Sequence, residues 1–378
     1  MLSKFKVLVF AACYTLCLTS RGEPPSPQRL LYAAVPGIRD DLKYGGHGVL
    51  VFDMDHGHKF VRRIAAAGLN KDGKPMNVKG VCASAVTQRF YVSTIDTMEC
   101  FDLQSDRLLW EKHYEGGCDR MSITPDGHKL FTPSFEKNFW HVIDSMSGDV
   151  IARIPSEKLA HNTVVGLDGR EVYLADRGSR MVEVVDATTN EVVRKLGPFG
   201  NVVRPFTVNG AGTLGYMNVN DLLGFEIANM SSVGTEDAQT HSGKVLYRVA
   251  VTGFEKGKVV RHGCPSHGIG LTPDETEVWV TDAHNKQLHI FDNTVMPPKQ
   301  VTSIALRDEP GWITFSLDGK LAYPSTGEVI DTASRKIIAQ LKDENGAEVQ
   351  SEKMVEIQFD GKGKAVATGD QFGLGRVR

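Results

Sequence analysis

The chain predicts an all-β fold, a seven-bladed β-propeller of four-stranded antiparallel blades, and three observations carry that prediction. Short segments rich in β-branched and aromatic residues recur in fours, as at 163–166, 171–175, 181–186 and 192–196, and helical periodicity is absent. A turn sequence repeats as TPDG (124–127), LDG (167–169), TPDE (272–275) and LDG (317–319), with degenerate copies NGAG (209–212) and FDG (359–361). A hydrophobic residue followed by Asp ends the third segment of successive units, at Asp53, Asp102, Asp144, Asp186, Asp292 and Asp331, with Glu226 in the odd copy. The period is roughly 42 residues, so four strands per unit repeated seven times close a ring.

Taken in order, Lys4 and Lys6 precede an apolar run at 7–19, which RGEPP (21–25) breaks. That run is too short for a bilayer span and has the form of a secretory signal over residues 1–22. The expectation is therefore an exported protein, periplasmic or extracellular, with no stable membrane span. Residues 23–378 read as one propeller domain. Its Asp column is structural, because an Asp side chain caps the turn that follows it through backbone amides. Ring closure follows from an offset. The Asp column starts at Asp53, ahead of the first inner strand, and the inner strands run past Asp331, the last Asp. Residues 354–359 then supply the inner strand of a blade whose outer strands, 49–53 and 59–64, come from the N-terminal side. Both 30–35 and 364–368 can serve as its second strand. Between Arg204 and His267 the interval is 63 residues against a period of roughly 42, which places a polar loop insertion near 229–262.

The formal charge of −3 leaves no basic footprint, so nucleic acid is not an expected partner. Cys13 and Cys17 fall in the signal, leaving Cys82, Cys100, Cys118 and Cys264 at spacings that match no zinc motif. Cys82 and Cys118 share nearly the same register in successive units, which fits either a disulfide between neighbours or free buried thiols.

One alignment column varies. Counting back seven residues from the turn Asp gives Asp119, His161, His267 and Gly311; the degenerate turns give Arg204 and Lys353. Aligning Thr87 with Thr124 adds Cys82. These positions begin the inner strands and so gather at one mouth of the central channel. Loops between second and third strands open on the same face and bring Arg177 and His284, and the N-terminal loop brings His47. The HGH turn, with His56 and His58, lies at the opposite end and is expected to be solvated.

The segments YVST (91–94), VYLAD (172–176), VWVTD (278–282) and LAYPST (321–326), each downstream of the repeated turn, resemble the second-strand signatures of the YVTN-repeat propellers. The resemblance covers roughly residues 30–370 and implies the seven-bladed fold. Lactonases, a muconate cycloisomerase, heavy chains of quinoprotein amine dehydrogenases and binding proteins share that architecture. His161 followed by Arg204 on consecutive blades is similar to the lactonase and cycloisomerase pattern. DLQSDRLLW (102–110) resembles a tryptophan docking motif of quinone propellers, but with four Trp in the chain it does not recur blade by blade.

Four readings of the column stand side by side. It can bind a small polar or anionic molecule, with Arg204 and Lys353 holding a carboxylate or phosphate and His267, Arg177, His284 and His47 around them. It can open a lactone, with His161 as general base, Arg204 steadying the oxyanion and Asp119 orienting His161. Cys82, Asp119, His161 and His267 are metal-ligand types, suited to a divalent ion such as copper, zinc or calcium. Lastly, such channels often hold only ordered water. A protein partner on one face is a further alternative. Binding of a small polar ligand, with or without a metal, is the favoured expectation, and lactonase-like hydrolysis is the runner-up.

Overall fold

The computed structural model of the protein describes residues 27–135, 137–231 and 243–378. The expected signal segment and residues 232–242 of the expected insertion lie outside the described residues. Seven antiparallel sheets form a ring, and among the described residues no helix is present. We number the blades by their inner strands: Val78–Ser84 in blade 1, Ser122–Ile123 in blade 2 and Ala160–Val165 in blade 3. Val203–Val208, Ile269–Leu271, Ile313–Phe315 and Met354–Phe359 follow in blades 4 to 7. No described helix is long and apolar enough to cross a membrane.

Six blades have four strands, and the closing blade has five, in the order Ala365–Thr368, Met354–Phe359, Gln28–Val35, Gly48–Asp53, Lys59–Ile64. Both candidate second strands therefore pair with Met354–Phe359, one on each side. Gln28–Val35 takes the second-strand place, with Tyr32 opposite Val355, and Ala365–Thr368 adds an extra strand on the channel side, with Thr368 opposite Ile357. Ring closure by N- and C-terminal segments holds, and the uniform strand count gives way at this one blade.

The Asp column caps turns as expected. Asp53, Asp102, Asp144, Asp186, Asp292 and Asp331 each accept backbone N–H groups two or three residues on, at 2.7–3.1 Å. Glu226 is not the seventh member. It pairs with Met217 in mid-strand and accepts the Gly200 N–H at 2.8 Å. Asn229 stands opposite Leu214 as Asp186 stands opposite Glu171, and it accepts the Ser231 N–H at 2.9 Å. Asn caps as well as Asp because only the carbonyl oxygen is used. The repeated turn needs a left-handed residue, which Gly127, Gly169 and Gly319 supply at φ +76, +71 and +69°.

Blades adhere through buried second-strand aromatics whose polar ends reach the next blade. Tyr91 OH donates to Ser145 O at 3.2 Å, Tyr216 OH to Asn293 Oδ1 at 3.1 Å, and Tyr323 OH meets His58 Nε2 at 3.0 Å. His58 is thus a buried inter-blade partner, and of the HGH pair only His56 is solvated. Cys82, Cys100, Cys118 and Cys264 are all buried free thiols, so no Cys82–Cys118 disulfide forms.

Beyond its last strand the chain crosses the turn end of the channel. Gln371 accepts the Val81 N–H at 3.2 Å and donates to Met121 O at 3.3 Å, while its own carbonyl accepts the Trp312 indole N–H. Gly373 O accepts from Thr207 Oγ1 at 2.7 Å and from Leu271 N at 2.9 Å. Phe372 and Leu374 are buried in the hole. This tail stitches five blades together and closes one end of the channel. Deleting residues 369–378 should cost roughly 3–6 kcal/mol, the burial of two large apolar side chains. A lowered thermal midpoint with a red-shifted tryptophan emission from Trp312 is expected; an unchanged midpoint and spectrum would refute the plug.

Candidate functional site

In four blades the residue that opens the repeated turn carries a side-chain oxygen accepting a backbone N–H. Thr124, Asn209, Thr272 and Ser316 each accept from the residue five positions on, at 2.8–3.1 Å. In blade 1 that residue is Ser84, whose Oγ accepts the Thr87 N–H at 3.2 Å. Ser84, not Thr87, is thus the counterpart of Thr124, and the column member five residues earlier is Lys79, not Cys82. Cys82 lies further down the strand, packed with Tyr91, Cys100 and Met121, and lines a smaller cavity of about 240 Å³ at the turn end. Two hydroxyl residues close together made this copy of the turn ambiguous in sequence.

Of the corrected column, Lys79, His161, Arg204, His267 and Lys353 line a cavity of about 420 Å³ at the other mouth, while Asp119 is buried behind them and Gly311 lies against His262. Trp312 stands behind the lining residues. The Arg120 guanidinium lies over that ring at 4.4 Å, His267 stands beside it at 6.1 Å, and Phe372 of the tail packs against it at 6.2 Å. We call this cavity the cup.

Two buried carboxylates organise the wall. Asp119 Oδ2 is 2.6 Å from His161 Nδ1, and its Oδ1 is 3.3 Å from Lys79 Nζ and 3.9 Å from Arg120. Burial would raise the Asp119 pKa, but Lys79, His161 and Arg120 hold it well below the usual carboxylate range. Burial brings His161 down to about 4 against the pull of Asp119, with Arg204 and Arg120 adding to the fall. His161 is accordingly neutral at pH 7, its Nδ1–H donated to Asp119 and its Nε2 bearing the lone pair.

Glu352 Oε2 accepts from Arg120 at 2.6 Å and from Lys353 Nζ at 2.8 Å, and its Oε1 is 3.1 Å from His262 Nδ1. Burial works against ionisation of Glu352, and Lys353, His262 and Arg120 overcome it. Burial lowers Lys353 to about 8 despite Glu352. His267 donates from Nδ1 to the Gly311 carbonyl at 2.9 Å, and burial next to His262 drives its pKa far down.

His262 is the cup residue that repeat alignment missed, because it belongs to the insertion and to no blade. Its entry explains the gap in the column: a Cβ on Gly311 would stand 1.9 Å from the His262 ring. The insertion is tied down by Glu309, which accepts the Arg261 N–H at 2.7 Å, and by Arg261 on Asp308 and on Tyr44, each at 2.7 Å. A long polar excess ahead of His267 was the one signal in the sequence.

Other expected members divide. Arg177 reaches the rim, over Phe135 at 5.7 Å, beside Lys79 over the same ring at 4.7 Å. His284 stays outside the cup and contacts the Lys258 carbonyl at 3.1 Å, holding the base of the insertion. His47 is exposed, and what it offers is a backbone carbonyl to Arg63 at 2.7 Å. The expected metal set does not assemble either: Cys82 is at the other end of the channel, and Asp119 is committed to His161 and Lys79.

Seven cationic side chains line the cup (Arg39, Lys79, Arg120, Arg177, Arg204, Arg261 and Lys353) against one acidic one, Glu352. Arg204 forms no ion pair among the described residues, and its Nε is buried without a hydrogen-bond partner.

No protein-family model matches this sequence, and no curated protein matches it. Solved structures do share its fold. The beta-propeller domain of Cps50 (Swd1) from Myceliophteria thermophila is 12% identical with a TM-score of 0.60, over 80% of this chain and 94% of that one. Hydrazine synthase from Kuenenia stuttgartiensis is 15% identical, TM-score 0.61, over 76% of this chain and 90% of that one. The dihydro-heme d1 dehydrogenase NirN is 11% identical, TM-score 0.59, over 92% and 74%. At such identities the likeness is one of fold alone. The chain is a seven-bladed β-propeller.

Gly311→Ala is expected to expel His262 and release the insertion while the ring stays folded. Limited proteolysis should then cut within 252–262 of a ring that is still folded, with a lowered thermal midpoint because Glu352 loses a buried partner; an uncut loop would contradict the fit.

Proposed function

We propose that the protein is an exported propeller of the YVTN-repeat kind that binds a small anion, a carboxylate- or phosphate-bearing molecule, in the cup at its channel mouth. The observation that carries this reading is the charge of the lining, seven cations against one acid with the buried Asp119 behind them, and Arg204 in no ion pair among the described residues. Buried like charges repel, and an arginine without a partner forgoes the charge-assisted hydrogen bonds that would offset its desolvation. An anion supplies both. A cup of about 420 Å³ falls in the range of small-molecule sites. Export rests on the signal-like residues 1–22.

A second reading has one specific observation behind it. The Asp119–His161 pair holds a neutral imidazole with Nε2 unprotonated beside Arg204, the arrangement a general base needs. In lactonase-like ring opening, His161 Nε2 would take the proton of an attacking water, and Arg204 would steady the oxygen that becomes negative.

Calorimetric titration with inorganic phosphate and a panel of carboxylates separates these. Arg204→Ala should weaken binding at least about 10-fold, the scale of one charge-assisted bond, and added salt should weaken it further. Absence of binding by every anion, or binding indifferent to Arg204, would sink the proposal. Under the second reading, His161→Ala abolishes lactone hydrolysis but keeps anion affinity. Because His161 loses its proton at about 4, its base form is complete above that point, and the rate should not fall between pH 6 and pH 8 for want of base.

A further inference from the structure

We infer that His262, His267 and Glu352 form a site for one divalent transition ion of the zinc type, with a coordination position open to the cup. The three come from separate places: the insertion, the mouth end of blade 5 and the segment entering the closing blade. All three are buried, and each offers a donor atom within 4.8 Å of the donors of the other two.

Hydrogen bonding assigns those donors. A carbonyl oxygen can only accept, so the 2.9 Å contact to Gly311 O puts the His267 proton on Nδ1 and leaves Nε2 with its lone pair. His262 Nδ1 and Glu352 Oε1 stand 3.1 Å apart. Two ligands of a tetrahedral ion with bonds of about 2.1 Å are roughly 3.4 Å apart, so this pair already has near-ligand spacing. The ion takes the place of the proton they share, and the His262 ring changes tautomer, so that the proton given up at Nδ1 is carried as the ring N–H at Nε2. That atom is buried without a hydrogen-bond partner, and Glu309 Oε1 lies 4.0 Å away, close enough to receive it after a small rotation. Such a carboxylate behind a ligating histidine fixes the ring and raises its basicity.

The remaining ligand is oriented as well. Arg120 and Lys353 hold Glu352 Oε2 at 2.6 and 2.8 Å, leaving Oε1 to turn inward. Gly311 leaves room for the His262 ring, which would otherwise be displaced. Two imidazole nitrogens and one carboxylate suit zinc and its neighbours, and they disfavour calcium and magnesium, which take oxygen ligands. With two neutral ligands and one anionic one, a divalent ion keeps one positive charge among Arg120, Lys353 and Arg204. Its fourth ligand is therefore an anion or a hydroxide from the cup. Three protein ligands with one open position is the coordination of zinc sites that do chemistry rather than brace a fold.

The ion site does not rest on the anion reading. Metal titrated in buffer free of phosphate and carboxylate tests one, and phosphate titrated into chelator-stripped protein tests the other. The experiment uses the whole chain, stripped with EDTA and desalted, then titrated with Co²⁺ while visible d–d absorption is followed, with Zn²⁺ as competitor. We expect one equivalent of Co²⁺, displaced by Zn²⁺ and not by Ca²⁺. His262→Ala and His267→Ala should each weaken it about 100-fold and Glu352→Gln about 10-fold, with Cys82→Ser unchanged. Circular dichroism confirms that each variant is folded, and if Glu352→Gln is not, the two histidine variants decide. No cobalt absorption in the wild type, or absorption that survives both histidine substitutions, overturns the site and leaves a plain hydrogen-bonded network.

Discussion

The Glu352 carboxylate is the point on which the mouth of this propeller depends. It is buried, held ionised by Lys353, His262 and Arg120, and these partners come from the closing blade, the insertion and blade 2. Through Arg120 the network crosses the channel to Trp312, and through Trp312 it rests on the C-terminal tail. A single negative charge thus ties the closing blade, blade 2 and the insertion into one structure. Asp119 does the same for His161 and Lys79 on the neighbouring arc.

Such networks are costly to leave half made. Removing one partner of a buried pair strands the other charge, commonly at about 3–5 kcal/mol, whereas exposed pairs contribute little. Here the two carboxylates offset only part of the positive charge around them. The surplus sits on Arg204, Arg177 and the rim, where solvent or a ligand can reach it. In the proposed anion site stability and binding would be linked, because the ion pairs that fix Arg120, Lys353 and Lys79 in place would also set the field an incoming anion meets.

Local chemistry was legible in the sequence, and ring-wide chemistry was not. Asp53 or Asp186 could be read as caps because the cap and its amides lie within three residues of each other. The same reasoning slipped at Glu226, where Asn229 caps instead, because charge was taken as the marker rather than the acceptor oxygen. Asp119, His161, Arg204, His267 and Lys353 were placed correctly because a repeat transmits register. Cys82 replaced Lys79 where two hydroxyls competed for one turn position. His262 was out of reach of the repeat, since a loop follows no period, and the long polar excess ahead of His267 marked only the insertion that carries it. His284 and His47 were grouped with the site by face alone, which does not say how far inward a side chain points.

Propellers of this build occur with unrelated sequences, so the ring itself says little about the ligand. This one carries a cup lined by cations, and its own tail packs on the far side of Trp312. The most direct test is diffraction from crystals grown in selenate, read at the selenium edge. An anomalous peak in the cup within hydrogen-bond distance of the Arg204 guanidinium is the predicted result. Selenate bound elsewhere on the surface, with none in the cup, would contradict the assignment of this mouth as an anion site.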